Sequence, residues 1–126
     1  MKEFSNLWKS SKNPRKQRKF RYNAPLHIKR KLFSANLSKD IRKKYNKRNM
    51  PIKIGDRVKV VRGNYKGTLG KIDRINLGKE RIYVEGTERI KKDGTKSLYP
   101  IHPSNVIIQE LNLEDNRRKK ILERKK

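Results

Sequence analysis

From Ile52 onward, apolar and polar positions alternate with a period of two. Val58 and Val60 are interleaved with Arg57, Lys59 and Val61, as in a strand with one buried face. Residues 69–75 predict a second strand and residues 81–86 a third, joined across Asn76-Leu77-Gly78-Lys79. Asp93-Gly94 is a hairpin signal, so 87–92 is expected to pair with 95–101. Pro103-Ser104-Asn105 ends that run, and 106–110 supplies a last strand. About five short strands separated by glycine turns predict a small barrel.

The chain before this block has a different rhythm. In 25–50, Pro25 suits a first helical position, with Asn23 or Ala24 as cap. Leu26, Lys29, Arg30 and Phe33 then share one side, and His27, Arg30 and Lys31 make a basic one. Ser38 predicts a cap for a second helix over 40–45, with Asp40 in its first turn and Lys43 and Lys44 in its last. Pro51 closes the region. Residues 1–24 show almost no period. Arg15, Lys16, Arg18, Lys19 and Arg21 form a cation run broken by Phe20 and Tyr22. This predicts an extended arm, disordered alone in water and ordered on binding, with a reach on the order of 80 Å. Trp8, Phe20 and Tyr22 among cations suit stacking on bases. At the other end, 113–126 opens with Glu114 and Asp115 and closes with Arg124-Lys125-Lys126, which complements a helix dipole. Its apolar residues are Leu113, Ile121 and Leu122, so that helix needs a partner surface.

The expected organisation is therefore mainly β. A basic extended arm (1–24) and short helices (25–50) precede the barrel (51–110), and a basic C-terminal helix (111–126) follows it.

Charge turns this architecture towards a function. The 126 residues hold 37 Lys+Arg against 12 Asp+Glu, a net charge of +25. Residues 1–50 alone carry 17 cations and 2 acids. A compact chain this basic repels itself unless a polyanion is bound, and nucleic acid is the commonest one. No run approaches the ~18 apolar residues of a membrane span, so membrane insertion is not expected. The chain has no cysteine, which removes disulfides, thiolate catalysis and cysteine zinc sites. No apolar leader follows Met1, and a cytoplasmic protein is expected. His27 and His102 stand apart with no acidic cluster near them in sequence, so neither a metal nor a cofactor is expected. Asp56 is expected to cap the Gly55 turn, and Asp73 to pair with a neighbouring cation.

The densest chemistry lies between the first two predicted strands. Gly63, Gly67 and Gly70 are interleaved there with Arg62, Tyr65, Lys66 and Lys71. Glycine allows tight turns and close backbone approach, and the cations attract phosphate. This is not the phosphate loop of nucleotide hydrolases: Tyr65 occupies the position of its first glycine, and Ile72 follows Lys71. No nucleophile–base arrangement is visible either, so no enzymatic activity is expected.

The run Ile54-Gly55-Asp56-x-Val58-x-Val60-x-x-Gly63-x-x-Lys66-Gly67-x-x-Gly70-Lys71-Ile72 resembles the KOW motif, carried by small SH3-like barrels in ribosomal proteins and transcription elongation factors. The flanks narrow the likeness. Phe20-Arg21-Tyr22-Asn23-Ala24-Pro25-Leu26-His27-Ile28, Asn49-Met50-Pro51-Ile52 and Ile101-His102-Pro103-Ser104-Asn105-Val106 resemble one family, the universal KOW protein of the large ribosomal subunit. It is number twenty-four in bacterial naming and twenty-six in eukaryotic naming. The extended N-terminus and basic C-terminal segment look like the archaeal and eukaryotic branch, and an archaeal-type member is expected. The resemblance implies binding of large-subunit rRNA near its 5′ end, a role in early assembly, and a place near the polypeptide exit. Neighbouring large-subunit proteins would be its partners, and nascent-chain targeting factors would be within reach. The residues expected to contact RNA are Arg15, Lys16, Arg18, Lys19, Arg21, His27, Lys29, Arg30, Lys31, Arg57, Lys59, Arg62, Gly63, Tyr65, Lys66, Gly67, Gly70 and Lys71. The alternative reading is a KOW-containing transcription elongation factor. Such a factor normally carries an αβ domain beside the barrel, which residues 1–50 are too basic and too poor in apolar residues to form.

Overall fold

The computed structural model describes residues 4–5 and 11–124. Its centre is a six-stranded mixed sheet curled into a small barrel. Strands β1 (Ser34–Leu37), β2 (Asn49–Pro51), β3 (Arg57–Val60), β4 (Leu69–Asn76), β5 (Arg81–Val84) and β8 (Val106–Glu110) lie in the order β2-β1-β8-β3-β4-β5. A separate hairpin pairs β6 (Glu88–Ile90) with β7 (Lys96–Leu98). The eight-residue β4 serves two partners. Its start pairs with β3 in the register Arg57↔Lys71, Val58↔Gly70 and Lys59↔Leu69. The rest pairs with β5 beyond an irregularity between Ile72 and Arg74, the kind of bulge that bends a strand. Ile82 and Ile101 exchange backbone hydrogen bonds of 2.8 and 2.9 Å, tying β5 to the chain that enters β8.

The predicted alternation is realised. Val58 and Val60 are buried while Arg57 and Lys59 face outward. They pack with Phe33, Ala35, Leu37, Met50, Ile72, Ile82, Val84, Ile101, Val106 and Ile108. The Asp93-Gly94 turn forms as expected, with Asp93 Oδ1 accepting from the Thr95 N–H at 2.9 Å and from the Thr95 hydroxyl at 2.6 Å. These two bonds hold the Asp93 carboxyl below the usual carboxylate range, the hydroxyl contributing most.

Three expectations need correction. Residues 14–23 are not extended: Pro14–Asn23 forms a helix, α1. Asn13 caps it by accepting from the Arg15 N–H at 3.0 Å, Pro14 opens it, and Arg, Lys and Gln are good helix formers. No residue of α1 is buried. The stacking role expected of Trp8 lies outside the described residues, as do Lys125 and Lys126 in the tail. Second, the region 25–50 is not helical alone. Besides α2 (Leu26–Leu32) and α3 (Lys39–Tyr45) it contributes β1 and β2, so the sheet begins at Ser34 rather than after Pro51. β1 runs parallel to β8 and antiparallel to β2. Pro25 is the residue before α2, not its first, whereas Ser38 caps α3 as predicted, accepting from the Ile41 N–H. Third, Asp73 makes no ion pair among the described residues.

The C-terminal helix α4 (Asn116–Glu123) has found its partner surface. Leu122 joins the barrel core. Arg118 reaches back 62 positions to Asp56, where both guanidinium Nη atoms donate to the carboxylate at 2.6 Å. Asp56 is fully buried and Arg118 nearly so. Asp56 also accepts the N–H groups of Lys53 and Asn112, each at 2.9 Å. It therefore holds the Gly55 turn, as its position in sequence suggests, and also anchors α4.

Candidate nucleic-acid interface

The loop between β3 and β4 is built from two successive turns. Lys66 N–H donates to the Gly63 carbonyl at 3.1 Å and Thr68 N–H to the Tyr65 carbonyl at 3.1 Å. Gly67 N–H donates to the Val60 carbonyl at 2.8 Å, and Val60 N–H to the Thr68 carbonyl at 2.9 Å, which closes the loop onto β3. Gly63 and Gly67 both have φ of +94°, a conformation that costs glycine little and other residues more. A side chain at either position would meet open space, so their constraint is backbone conformation.

Gly70 behaves differently. It has no positive φ, but a Cβ there would run into the Glu85 carbonyl oxygen and come within 2.9 Å of a Val84 methyl. The close approach that requires glycine is thus between β4 and β5 inside the protein. This changes the physical reason for expecting a glycine at 70.

Lys59 and Arg57 project from the outer face of β3, with Lys71 opposite Arg57 on β4. Arg62 and Lys66 are exposed on the loop. Arg57 is partly engaged, with Nη1 3.4 Å from Glu110, an exposed pair worth little. Lys59, Arg62, Lys66 and Lys71 have no carboxylate partner among the described residues. Tyr65 is half-buried. Its hydroxyl donates to the Glu88 carbonyl at 2.7 Å and its ring lies 5.4 Å from that of Tyr99, so it braces the loop against the β6–β7 hairpin.

The helical cations form a second exposed group. Arg15, Lys16, Arg18, Lys19 and Arg21 on α1, and His27, Arg30 and Lys31 on α2, are exposed, and Lys29 is half-buried. None is ion-paired among the described residues. The Arg21 charge is felt at His102, which shares a cleft with Arg62. The end of α1 and the glycine loop therefore present charge to the same region.

Other charged and aromatic positions emerge only in three dimensions. Arg74 lies over the Tyr83 ring, 4.3 Å from its centroid. Arg81, Tyr99 and His102 come together beneath the loop. A larger cavity of about 610 Å³ is lined by Lys44, Lys47, Leu122 and Arg124, among others. No local pattern brought these groups together: Arg74 meets Tyr83 across paired strands, and the other two groups join segments far apart in sequence. No cluster of His, Cys, Asp and Glu suited to a metal ion occurs among the described residues. No described helix is long and apolar enough to cross a membrane.

A closed glycine loop on a small barrel, surrounded by unpaired cations, is a geometry many nucleic-acid binders share. What decides between them is a family model, that of ribosomal protein L26 of eukaryotes and L24 of archaea, which matches residues 11–125. The chain belongs to this family. As a member of the L26 family it is a structural constituent of the large ribosomal subunit. The match spans the helices, the whole barrel and α4, so the flanking elements are part of the family's common body. That agrees with the archaeal and eukaryotic likeness read in the flanking segments. A ribosomal place also supplies the rRNA polyanion and the protein neighbours that a charge of +25 calls for.

Proposed function

We propose that this chain binds large-subunit rRNA through one continuous basic surface, with no catalytic role. The surface comprises the glycine loop (Arg62, Gly63, Lys66, Gly67), the outer faces of β3 and β4 (Arg57, Lys59, Lys71), and the cations of α1 and α2. The observation that carries this reading is the set of exposed Lys and Arg side chains there that lack a carboxylate partner among the described residues. Cations left unpaired by the protein are free to meet phosphate. Phosphate contacts fix position, and RNA shape and unpaired bases supply recognition. In this reading Gly63 and Gly67 let the backbone turn beneath the RNA, while Tyr65 and Gly70 hold the loop and its strand in place. A site near the 5′ end of the rRNA, an early place in assembly, a position near the polypeptide exit and a cytoplasmic location belong to the same proposal. Contacts with targeting factors would follow from that position alone.

Salt dependence tests it. With six or more phosphate contacts, affinity for large-subunit rRNA fragments should fall roughly 10³-fold or more between about 50 and 200 mM salt. Filter binding across that range gives the slope. An affinity indifferent to salt would remove the electrostatic basis of the proposal.

A further inference from the structure

Beneath the glycine loop lies a cleft of about 270 Å³ whose walls come from the loop, the start of β5 and the chain entering β8. Its lining includes Arg62, Tyr65, Arg81, Tyr99, His102 and Asn105. We propose that this cleft receives a single unstacked nucleotide of bound RNA. The inference rests on the reading of the chain as an rRNA binder and adds a specific subsite to it.

Each part of a nucleotide finds its counterpart there. Tyr99 is 39% exposed and its ring is backed by that of Tyr65, 5.4 Å away between centroids, an aromatic surface on which a base can stack. Arg62 and Arg81 bring two positive charges to the same cleft, and neither is ion-paired among the described residues. They are suited to the flanking phosphates. The side-chain amide of Asn105 has no hydrogen-bond partner among the described residues, although its backbone N–H and carbonyl are both engaged. An amide offers a donor and an acceptor to a base edge.

His102 fits the same purpose. Its Nδ1 lies 2.8 Å from the Ser104 hydroxyl and accepts from the Ser104 N–H at 3.3 Å. Burial, and then the Arg81 charge, hold its pKa below the usual value. With Nδ1 accepting from the Ser104 N–H, the neutral ring carries its proton on Nε2. That nitrogen is 3.9 Å from the Glu80 carboxylate, close enough to feel its charge but beyond a full hydrogen bond, so its proton is open to a nearer acceptor. Glu80 itself sits at a φ of +53°, an unusual conformation for a non-glycine residue. The cleft falls just below the roughly 300 Å³ at which drug-sized sites begin, so it suits one base rather than two.

The test uses the full chain and a short single-stranded RNA carrying 2-aminopurine, with an RNA duplex of equal length as the comparison. The expected result is a change in 2-aminopurine fluorescence on binding. Tyr99→Leu should weaken single-strand binding roughly five- to a hundred-fold while leaving duplex binding unchanged, and Tyr99→Phe should retain the parent affinity. Tyr99 also packs on Tyr65, so a second measurement avoids substitution. RNA containing 5-iodouridine, irradiated with the parent protein, should crosslink to the peptide bearing Tyr99 and His102. Equal loss on both RNAs, no loss on either, or crosslinks confined to other peptides would overturn the pocket and leave rRNA binding by the basic surface intact. Failure of the parent to bind either RNA would overturn both.

Discussion

Asp56→Ala should cost about 3–5 kcal/mol of folding stability, the scale for removing one partner of a buried ion pair. A small domain has only about 5–15 kcal/mol in total, so this variant is expected close to the unfolding threshold. The size follows from what is left behind. Arg118 would remain with its guanidinium buried, keeping only the carbonyls of Asn112 at 3.0 Å and Pro51 at 3.2 Å. Its Nε already lacks a partner among the described residues. The Lys53 and Asn112 N–H groups would also lose their acceptor. Arg118→Met should be milder, because the Asp56 carboxylate keeps those two N–H donors. Urea denaturation of both single variants and the double variant yields the coupling energy between the two residues. Hydrogen exchange should show α4 released first. A loss under about 1 kcal/mol in Asp56→Ala would mean that the pair contributes no more than an exposed one.

Gly70→Val should be the most damaging change in the glycine loop and its strand. Its Cβ would strike the Glu85 carbonyl oxygen, on a stretch of chain that the Glu85 N–H bond to the Lys71 carbonyl at 3.0 Å holds beside β4. Overpacking costs about 1–3 kcal/mol when side chains can yield, and more when backbone must move. Gly67→Ala meets only open space and bears the cost of an unfavourable φ, of order 1–3 kcal/mol. Lys66→Ala should leave stability within about 0.5 kcal/mol of the parent and trim RNA affinity alone. Circular dichroism and sedimentation of reconstituted subunits should rank incorporation as Lys66→Ala above Gly67→Ala above Gly70→Val. A Gly70→Val protein that folds and assembles like the parent would refute the close approach of β4 to β5.

The features that the sequence made legible are those fixed by neighbouring residues. The alternation at Val58 and Val60, the Asp93-Gly94 turn and the Ser38 cap each depend on chemistry within about four positions, and each formed as read. The L26-type loop was legible for the same reason, since its glycines and cations lie together. β1 escaped because Ser34-Ala35-Asn36-Leu37 is short and carries no β-branched residue. Its strand state comes from pairing with β8, some seventy positions away. β2 ends in a proline, which reads as a break. The helix α1 was masked by its charge: a cation run reads as a solvated arm, although Asn13 and Pro14 are good start signals. Non-local chemistry left no trace. Asp56 and Arg118 meet across 62 positions, and Tyr65 meets Tyr99 only once the hairpin folds under the loop. The role of Gly70 became clear only when β5 was placed beside it.

Crosslinking on intact large subunits tests the central claim most directly. Subunits purified at moderate salt are irradiated, and the peptides of this chain that carry rRNA adducts are mapped by mass spectrometry. Adducts are expected to concentrate on residues 57–71 and on α1 and α2, with α3 and the tip of the β6–β7 hairpin comparatively free. Adducts absent from 57–71 but present on α3 or that hairpin would contradict it, because the RNA would then lie against a different face of the barrel.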